Sequence, residues 1–349
     1  MAMSKIIIFP EYLCQFGKGE GSTFCLVTNS RLVERFIIRE GNGYKNYKII
    51  AYDVGDDLTR ILRDQIPEPS HILVIAPDCY FHSPEPQHLG NLRKLCVMAC
   101  NSTPTSIESI NHFFQYAKNI NPREQEKMVE QFFINCETTE RLKFVDEKYQ
   151  TIAEFQHLNN KLQWHEQIGE LYWGEQQLFP SGEISVLPVE LFALDLNVKL
   201  DIDGQLAFTG TPIVHSGTSS FLAEDQARIF EALSTIRYHA IIVTLHQGII
   251  TKIEASHPAT KSAADILNAM CEVDSRYRMI LEIGFAINHH LELFPGNCAM
   301  NEVYAVNTNG TIHFGLGLIP HTQYHLDLIC PATKVLGKND QLIFGGITI

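Results

Sequence analysis

Near the C-terminus, ionisable residues sit inside short apolar runs, and this combination constrains the fold more than any other feature of the chain. Glu282 lies in Ile280-Leu281-Glu282-Ile283-Gly284-Phe285, and His313 in Gly310-Thr311-Ile312-His313-Phe314-Gly315-Leu316-Gly317. His325 and Asp327 lie in His325-Leu326-Asp327-Leu328, Glu302 falls between these runs, and Glu183 follows Pro180-Ser181-Gly182 upstream. Apolar neighbours place a carboxylate or imidazole in the interior, where an unpaired charge is costly unless it is paired or binds a metal. At i and i+2 on a strand, His325 and Asp327 point to one face and can reach one ion. Two imidazoles and several carboxylates on neighbouring strands suit one or two divalent ions, zinc before manganese, cobalt or iron. Singly, each residue also has a plainer reading: a hydrogen-bonded core histidine, or a glutamate on a solvated edge.

The chain has 349 residues, 45% hydrophobic and 19% charged, which is globular and long enough for two domains. Its 27 Lys and Arg against 40 Asp and Glu give a net charge of −13, which argues against a nucleic-acid or anionic-membrane partner. No apolar run has the length of a transmembrane helix, and the N-terminal Ile6-Ile7-Ile8-Phe9 is too short for a signal peptide, so a cytoplasmic protein is expected. The nine cysteines form no Cys-x-x-Cys pair, and most lie in apolar context, as reduced buried thiols do.

Residues 1–168 predict an α/β domain with a mainly parallel sheet. Strands are expected at Ile6–Ile8, Phe24–Val27, Lys48–Tyr52, His71–Pro77 and Leu95–Ala99, with helices from Ser30, from Asp56, and over 106–117 and 122–133. Residues 136–168 read as a charged helical connector. Gly17, Gly19 and Gly21 precede a strand instead of following one into a helix, so they form no nucleotide fingerprint. Residues 169–349 predict an α+β metal-binding domain with strands at 171–173, 184–187, 190–194, 198–202, 206–208, 238–244 and 248–255. Asp203-Gly204 reads as a hairpin turn, and helices are expected over 223–236 and 261–271. Pro212 confines any strand at 211–214 to a sheet edge. The run Val214-His215-Ser216-Gly217-Thr218-Ser219-Ser220 lacks a nucleophile elbow and reads as a polar loop. Of the adjacent His289 and His290, at most one points inward on a strand, and Cys298 reads as a buried inert thiol.

The ordered set Pro180-Ser181-Gly182-Glu183, Leu281-Glu282-Ile283-Gly284 with Asn288, Asn301-Glu302, Gly310 through Gly317, and His325-Leu326-Asp327 resembles the thermophilic metalloaminopeptidase family (aminopeptidases T and S). The resemblance covers roughly residues 170–337. It implies a co-catalytic pair of ions held by Glu183, Glu282, His313, His325 and Asp327, with Glu282 as the bridge. It also implies a homodimer that hydrolyses an amide bond in a peptide or modified peptide, with Glu282 or Glu302 taking the proton and returning it to the leaving amine. The family's catalytic tyrosine falls where this chain has Pro320, which leaves Tyr324 or His321 as stand-ins. A second resemblance, to the ring-cleaving 2,5-dihydroxypyridine dioxygenase with its single iron, rests on Pro180-Ser181-Gly182 and His325-Leu326-Asp327. In that enzyme the Glu282 position is a histidine and the Glu183 position is not acidic, so the two glutamates here favour two dications. Three readings stay open: a hydrolase, a metal- or peptide-binding partner in a biosynthetic pathway with little catalysis, and an iron dioxygenase.

Overall fold

The computed structural model describes residues 5–102, 105–189 and 199–348; the strand expected at 190–194 and the start of that at 198–202 lie outside them. The fold is mixed α/β, with parallel and antiparallel sheets in two compact units. The units are interleaved instead of meeting at the expected 168/169 boundary. One comprises 1–126 with 167–181, the other 127–166 with 182–349.

In the first unit the sheet order is Gln176–Phe179, Arg93–Met98, Ser70–Ile75, Thr23–Thr28, Asn46–Ala51, and every pairing is parallel. The runs Phe24-Cys25-Leu26-Val27 and Ile72-Leu73-Val74-Ile75 are buried along their whole length, as parallel strands covered on both faces must be. Caps set the helix starts: Asp57 accepts from the Thr59 amide at 2.8 Å, and Ser106 and Ser109 form a capping box before Ile107–Ala117. Two expectations fail here. The helix from Ser30 is only a 3-10 stretch, Ser30–Arg35, because the β-prone Phe36–Ile38 pairs in parallel with Ile6–Ile8. Leu171-Tyr172-Trp173 is a turn region, and the strand is Gln176–Phe179.

The second unit holds a six-stranded sheet and a seven-stranded sheet. The six-stranded order is Thr211–Ser216, Tyr324–Cys330, Thr311–Leu316, Ile280–Ala286, Glu183–Pro188, Leu162–Gln167. Phe314 packs against Phe144 and Phe208 of the other sheet, with ring centroids 5.3 and 5.7 Å away. The expected helical connector at 136–168 is instead the strands Leu142–Asp146, Thr151–Phe155 and Leu162–Gln167. Leu142, Phe144, Ala153 and Phe155 are buried with less buried residues between them, so a period of two outcompetes the helical spacing. Asp203-Gly204 is no turn: the strand Ile202–Phe208 runs through it. Gly204 has φ of 122°, and a Cβ there would meet the Ile152 carbonyl oxygen at 2.3 Å, so close approach of the neighbouring strand requires the glycine. Pro212 does sit on an edge strand. All nine cysteines are free. Among the described residues no helix is long and apolar enough to cross a membrane.

Candidate metal centre

Three adjacent strands of the six-stranded sheet, with the strands on either side of them, aim their ionisable residues at one face. Antiparallel pairing sets Gly284 opposite His313 and Gly315 opposite Asp327, while Glu183 stands opposite Ala286. A bulge between Ile280 and Glu282 shifts the register so that Glu282 faces Gly315. The two glycines are the floor of the cluster. A Cβ on Gly315 would lie 2.7 Å from the Glu282 Cβ and 3.0 Å from the His325 ring, and one on Gly284 would lie 1.9 Å from the His313 ring. Neither glycine has a positive φ, so space is what selects them.

The side chains fall into three overlapping triads whose ligand atoms lie within 4.8 Å of one another: Glu183, Glu282 and His313; Glu282, His325 and Asp327; and His215, Glu302 and Asp327. His313 Nε2 stands 3.3 Å from Glu183 Oε1 and 3.8 Å from Asp327 Oδ1. His325 Nε2 stands 3.0 Å from Asp327 Oδ1 and 3.5 Å from Glu282 Oε2. His325 Nδ1 donates to the Gly317 carbonyl at 2.9 Å, which fixes the ring and aims Nε2 at the two carboxylates. An imidazole lone pair facing two carboxylate oxygens repels them unless a proton or a metal ion lies between. Asp327 Oδ1 and His313 Nδ1 are buried without a hydrogen-bond partner. Four carboxylates and three imidazoles, with orphaned donor atoms among them, therefore fit divalent cations.

The electrostatics of the protein alone agree. Burial, then the charges of Glu302, Glu282 and Asp327, pushes Glu183 well above the usual carboxylate range. Glu302 moves the same way, by burial and then by Asp327 and Glu282. For Asp327 burial raises the value, but His325, His313 and His215 together outweigh it and hold the carboxyl well below its usual range. Burial works against the charged form of His325, yet Asp327 and Glu282 prevail and the imidazole is held well above its ordinary value. Glu183, Glu302 and His325 thus move towards their protonated forms, whereas Asp327, Glu282 and His215 move the other way.

All five residues expected as ligands converge: Glu183, Glu282, His313, His325 and Asp327. Glu302, expected as a proton carrier, joins them from the 3-10 turn Ala299–Val303. Tyr324 does not. Being adjacent to His325 on a strand, it points to the opposite face, where its hydroxyl donates to Asp225 Oδ2 at 3.1 Å and accepts from the Leu222 amide at 3.3 Å. The residue that sequence reasoning misses is His215, read as part of a loop; it lies on the buried edge strand Thr211–Ser216, opposite His325. The usable signal was Ile213-Val214-His215, an apolar run ending in a histidine. Cys298 is inert as expected, burial pushing its thiol up to about 12.

No known family profile matches the sequence, and no curated protein matches it either. Solved structures do. The 2,5-dihydroxypyridine dioxygenase of Pseudomonas putida KT2440 matches with a TM-score of 0.54 at 13% identity, over 95% of this chain and 93% of that one. AmpT of Thermus thermophilus matches with a TM-score of 0.49 at 10% identity, over 97% and 98%. These are the two enzyme types that the sequence motifs resemble. At this identity the similarity to the dioxygenase is one of fold, and by that measure the chain shares the dioxygenase architecture over nearly its whole length.

Proposed function

We propose that this chain is a metal-dependent hydrolase that cleaves an amide bond in a peptide or modified peptide, with two divalent ions, zinc foremost, held by Glu183, Glu282, His313, His325 and Asp327. One observation carries the reading: the Glu282 carboxylate belongs to two triads at once, as a ligand shared by a pair of ions must. Bound ions supply Lewis acidity towards a carbonyl and towards water. The chain's own groups do the rest. The Nδ1–H bond to Gly317 holds the His325 ring in place, and Gly284 and Gly315 leave room for ligands. Glu302, which stands in the same cluster, accepts and returns a proton at its carboxylate. With no tyrosine on this face from Tyr324, proton delivery falls to Glu302.

Purification without chelator followed by elemental analysis, and release of free amino acid from a peptide panel, tests the proposal. At least two equivalents of zinc-like metal are expected, with turnover abolished by chelation. Glu282→Gln is expected to weaken metal binding by more than about 100-fold, beyond the effect of an outer-shell partner. Bound metal without turnover on any peptide would favour the binding-partner reading. A second catalytic reading, a single-iron dioxygenase, is favoured by a different observation. His215, His325 and Asp327 place two imidazoles and a carboxylate together, the donor set of non-haem iron oxygenases. One equivalent of iron instead of two of zinc would select it. A homodimer and a cytoplasmic location belong to the same proposal, the first checked by light scattering.

A further inference from the structure

The ligand set proposed above leaves His215 and one oxygen of Asp327 without a part. The two oxygens of that carboxylate face different ways. Oδ1 faces His325 and His313 at 3.0 and 3.8 Å, whereas Oδ2 faces His215 Nε2 at 2.6 Å. Glu302 Oε2 lies 3.9 Å from the same His215 nitrogen. His215 and Asp327 are both nearly excluded from solvent, and the Glu302 side chain is 12% exposed. We infer that His215, Glu302 and Asp327 Oδ2 form a third divalent-cation subsite, beside the two that the motif residues make. The inference rests on the metal-centre reading and extends it: Glu302 carries the proton while this subsite is empty and is a ligand once it fills.

The supports of this triad are built as those of a ligand set are. The Asn297 amide closes the free edge of the His215 strand at Val214, accepting from its N–H at 2.9 Å and donating to its carbonyl at 2.8 Å. Gln226 donates to that same carbonyl at 2.8 Å. The Asn301 amide fixes the turn that carries Glu302 in the same manner, accepting from the Phe294 amide at 2.8 Å and donating to its carbonyl at 2.9 Å. Two buried asparagine clamps thus hold the backbone beside each residue, the preorganisation that coordination at fixed distance needs. Without the ion, His215 Nε2–H donates to Asp327 Oδ2; with it, the ring proton moves to Nδ1 and Nε2 becomes the ligand. Ligand bonds of about 2.0–2.2 Å in a tetrahedral array put two donors about 3.3–3.6 Å apart, so the pair must part by up to about 1 Å. Charge sets the order of filling. Two dications already neutralise Glu183, Glu282, Glu302 and Asp327, so a third meets a cluster with no negative charge to spare and binds weakest.

Equilibrium dialysis of the full-length protein against graded free zinc, with elemental analysis, reads the number of bound equivalents. The expected wild-type result is three, the third released about tenfold more readily than the others on chelation. His215→Gln and Glu302→Gln are each expected to stop at two, with circular dichroism confirming the fold; if His215→Gln fails to fold, the Glu302→Gln count decides. A merely positioning role for His215 predicts instead an unchanged count with affinity about 10- to 100-fold weaker, which would overturn the inference. A wild-type plateau at two overturns it while leaving the dinuclear proposal standing. A protein that binds no zinc overturns both.

Discussion

The parallel sheet of the first unit and the six-stranded antiparallel sheet of the second both bury ionisable side chains, but they satisfy them in opposite ways. In the parallel sheet Arg93 donates to the carbonyls of Leu89, Leu62 and Ile66 at 2.9–3.0 Å and meets Glu68 at 2.7 Å. Lys94 donates to the Phe16 carbonyl at 2.7 Å and faces Glu170 at 3.5 Å. Each charge is answered by backbone dipoles and a carboxylate at the rim. In the antiparallel sheet four carboxylates meet three imidazoles. In one sheet the buried cations are met mostly by backbone carbonyls and rim carboxylates, although Arg93 Nε stays without a partner; in the other the ionisable groups are met chiefly by one another. An unpaired buried charge costs several kcal/mol, so the second arrangement makes sense when cations complete it.

The two tryptophans make this contrast measurable, since Trp173 lies in the first unit and Trp164 in the second. The largest expected effect is structural. Arg93→Met leaves three carbonyls and Glu68 without their cation and is expected to cost about 3 kcal/mol, read by urea unfolding through Trp173 in a Trp164→Phe background. The loss is expected to be the same with or without zinc. A loss that zinc repairs would erase the distinction between the sheets.

Next comes zinc itself. A cation that binds only the folded cluster stabilises it by about 2.7 kcal/mol at a hundredfold excess over Kd. The Trp164 transition is expected to move further than the Trp173 transition, and Glu282→Gln to suppress the movement. Equal shifts in the wild type and in Glu282→Gln would place the binding elsewhere. Somewhat smaller is the effect of filling the floor. The methyl group of Gly315→Ala arrives 2.7 Å from the Glu282 Cβ, an overpacking expected to cost about 1–3 kcal/mol. Zinc affinity is expected to fall with it, because Glu282 and His325 are the atoms displaced. Retention of wild-type zinc binding by this variant would mean that the glycine serves the sheet and not the site.

The same contrast explains what was legible in the sequence. Parallel strands buried on both faces announce themselves as unbroken runs such as Ile72-Leu73-Val74-Ile75, and these are where the sequence places them. Glu282, His313, His325 and Asp327 stood out because each carries its apolar context on both sides. His215 did not, because the polar Ser216 through Ser220 follows it and its burial is imposed by Asn297 and Gln226, distant in the chain. The strands at 142–167 were hidden for a related reason. Their exposed faces are charged at spacings that also suit a helix, and only long-range pairing, Leu142 with Phe155 and Lys143 with Leu336, settles the period. Tyr324 shows the reverse error: it is offered as a stand-in for the family's tyrosine, but strand alternation beside His325 turns it away.

The smallest expected effect concerns the one buried imidazole in the parallel sheet, His71, and it sharpens the contrast because no carboxylate shares its surroundings there. The Tyr44 hydroxyl and Nδ1 share a hydrogen bond of 3.0 Å, the Phe16 ring stacks on the imidazole at 5.1 Å, and Nε2 is buried without a hydrogen-bond partner. Burial, and then the charge of Lys94, pushes its pKa down from the ordinary 6.5 to about 3. Between those values the unfolded chain binds a proton that the folded chain refuses. Stability therefore rises with pH from about 3 to about 6.5 and is flat above, with a slope of at most about 1.4 kcal/mol per pH unit from this residue. In His71→Asn, which keeps an acceptor for Tyr44 but cannot titrate, the Trp173 transition is expected to lose that slope. His325 gives the opposite sign in metal-free protein: its value is raised, so its contribution is present below the unfolded value and fades as pH rises. An acid limb on the Trp173 transition that persists unchanged in His71→Asn would show that the parallel sheet, too, depends on titrating groups beyond this one, and the difference between the sheets would narrow to the carboxylates alone.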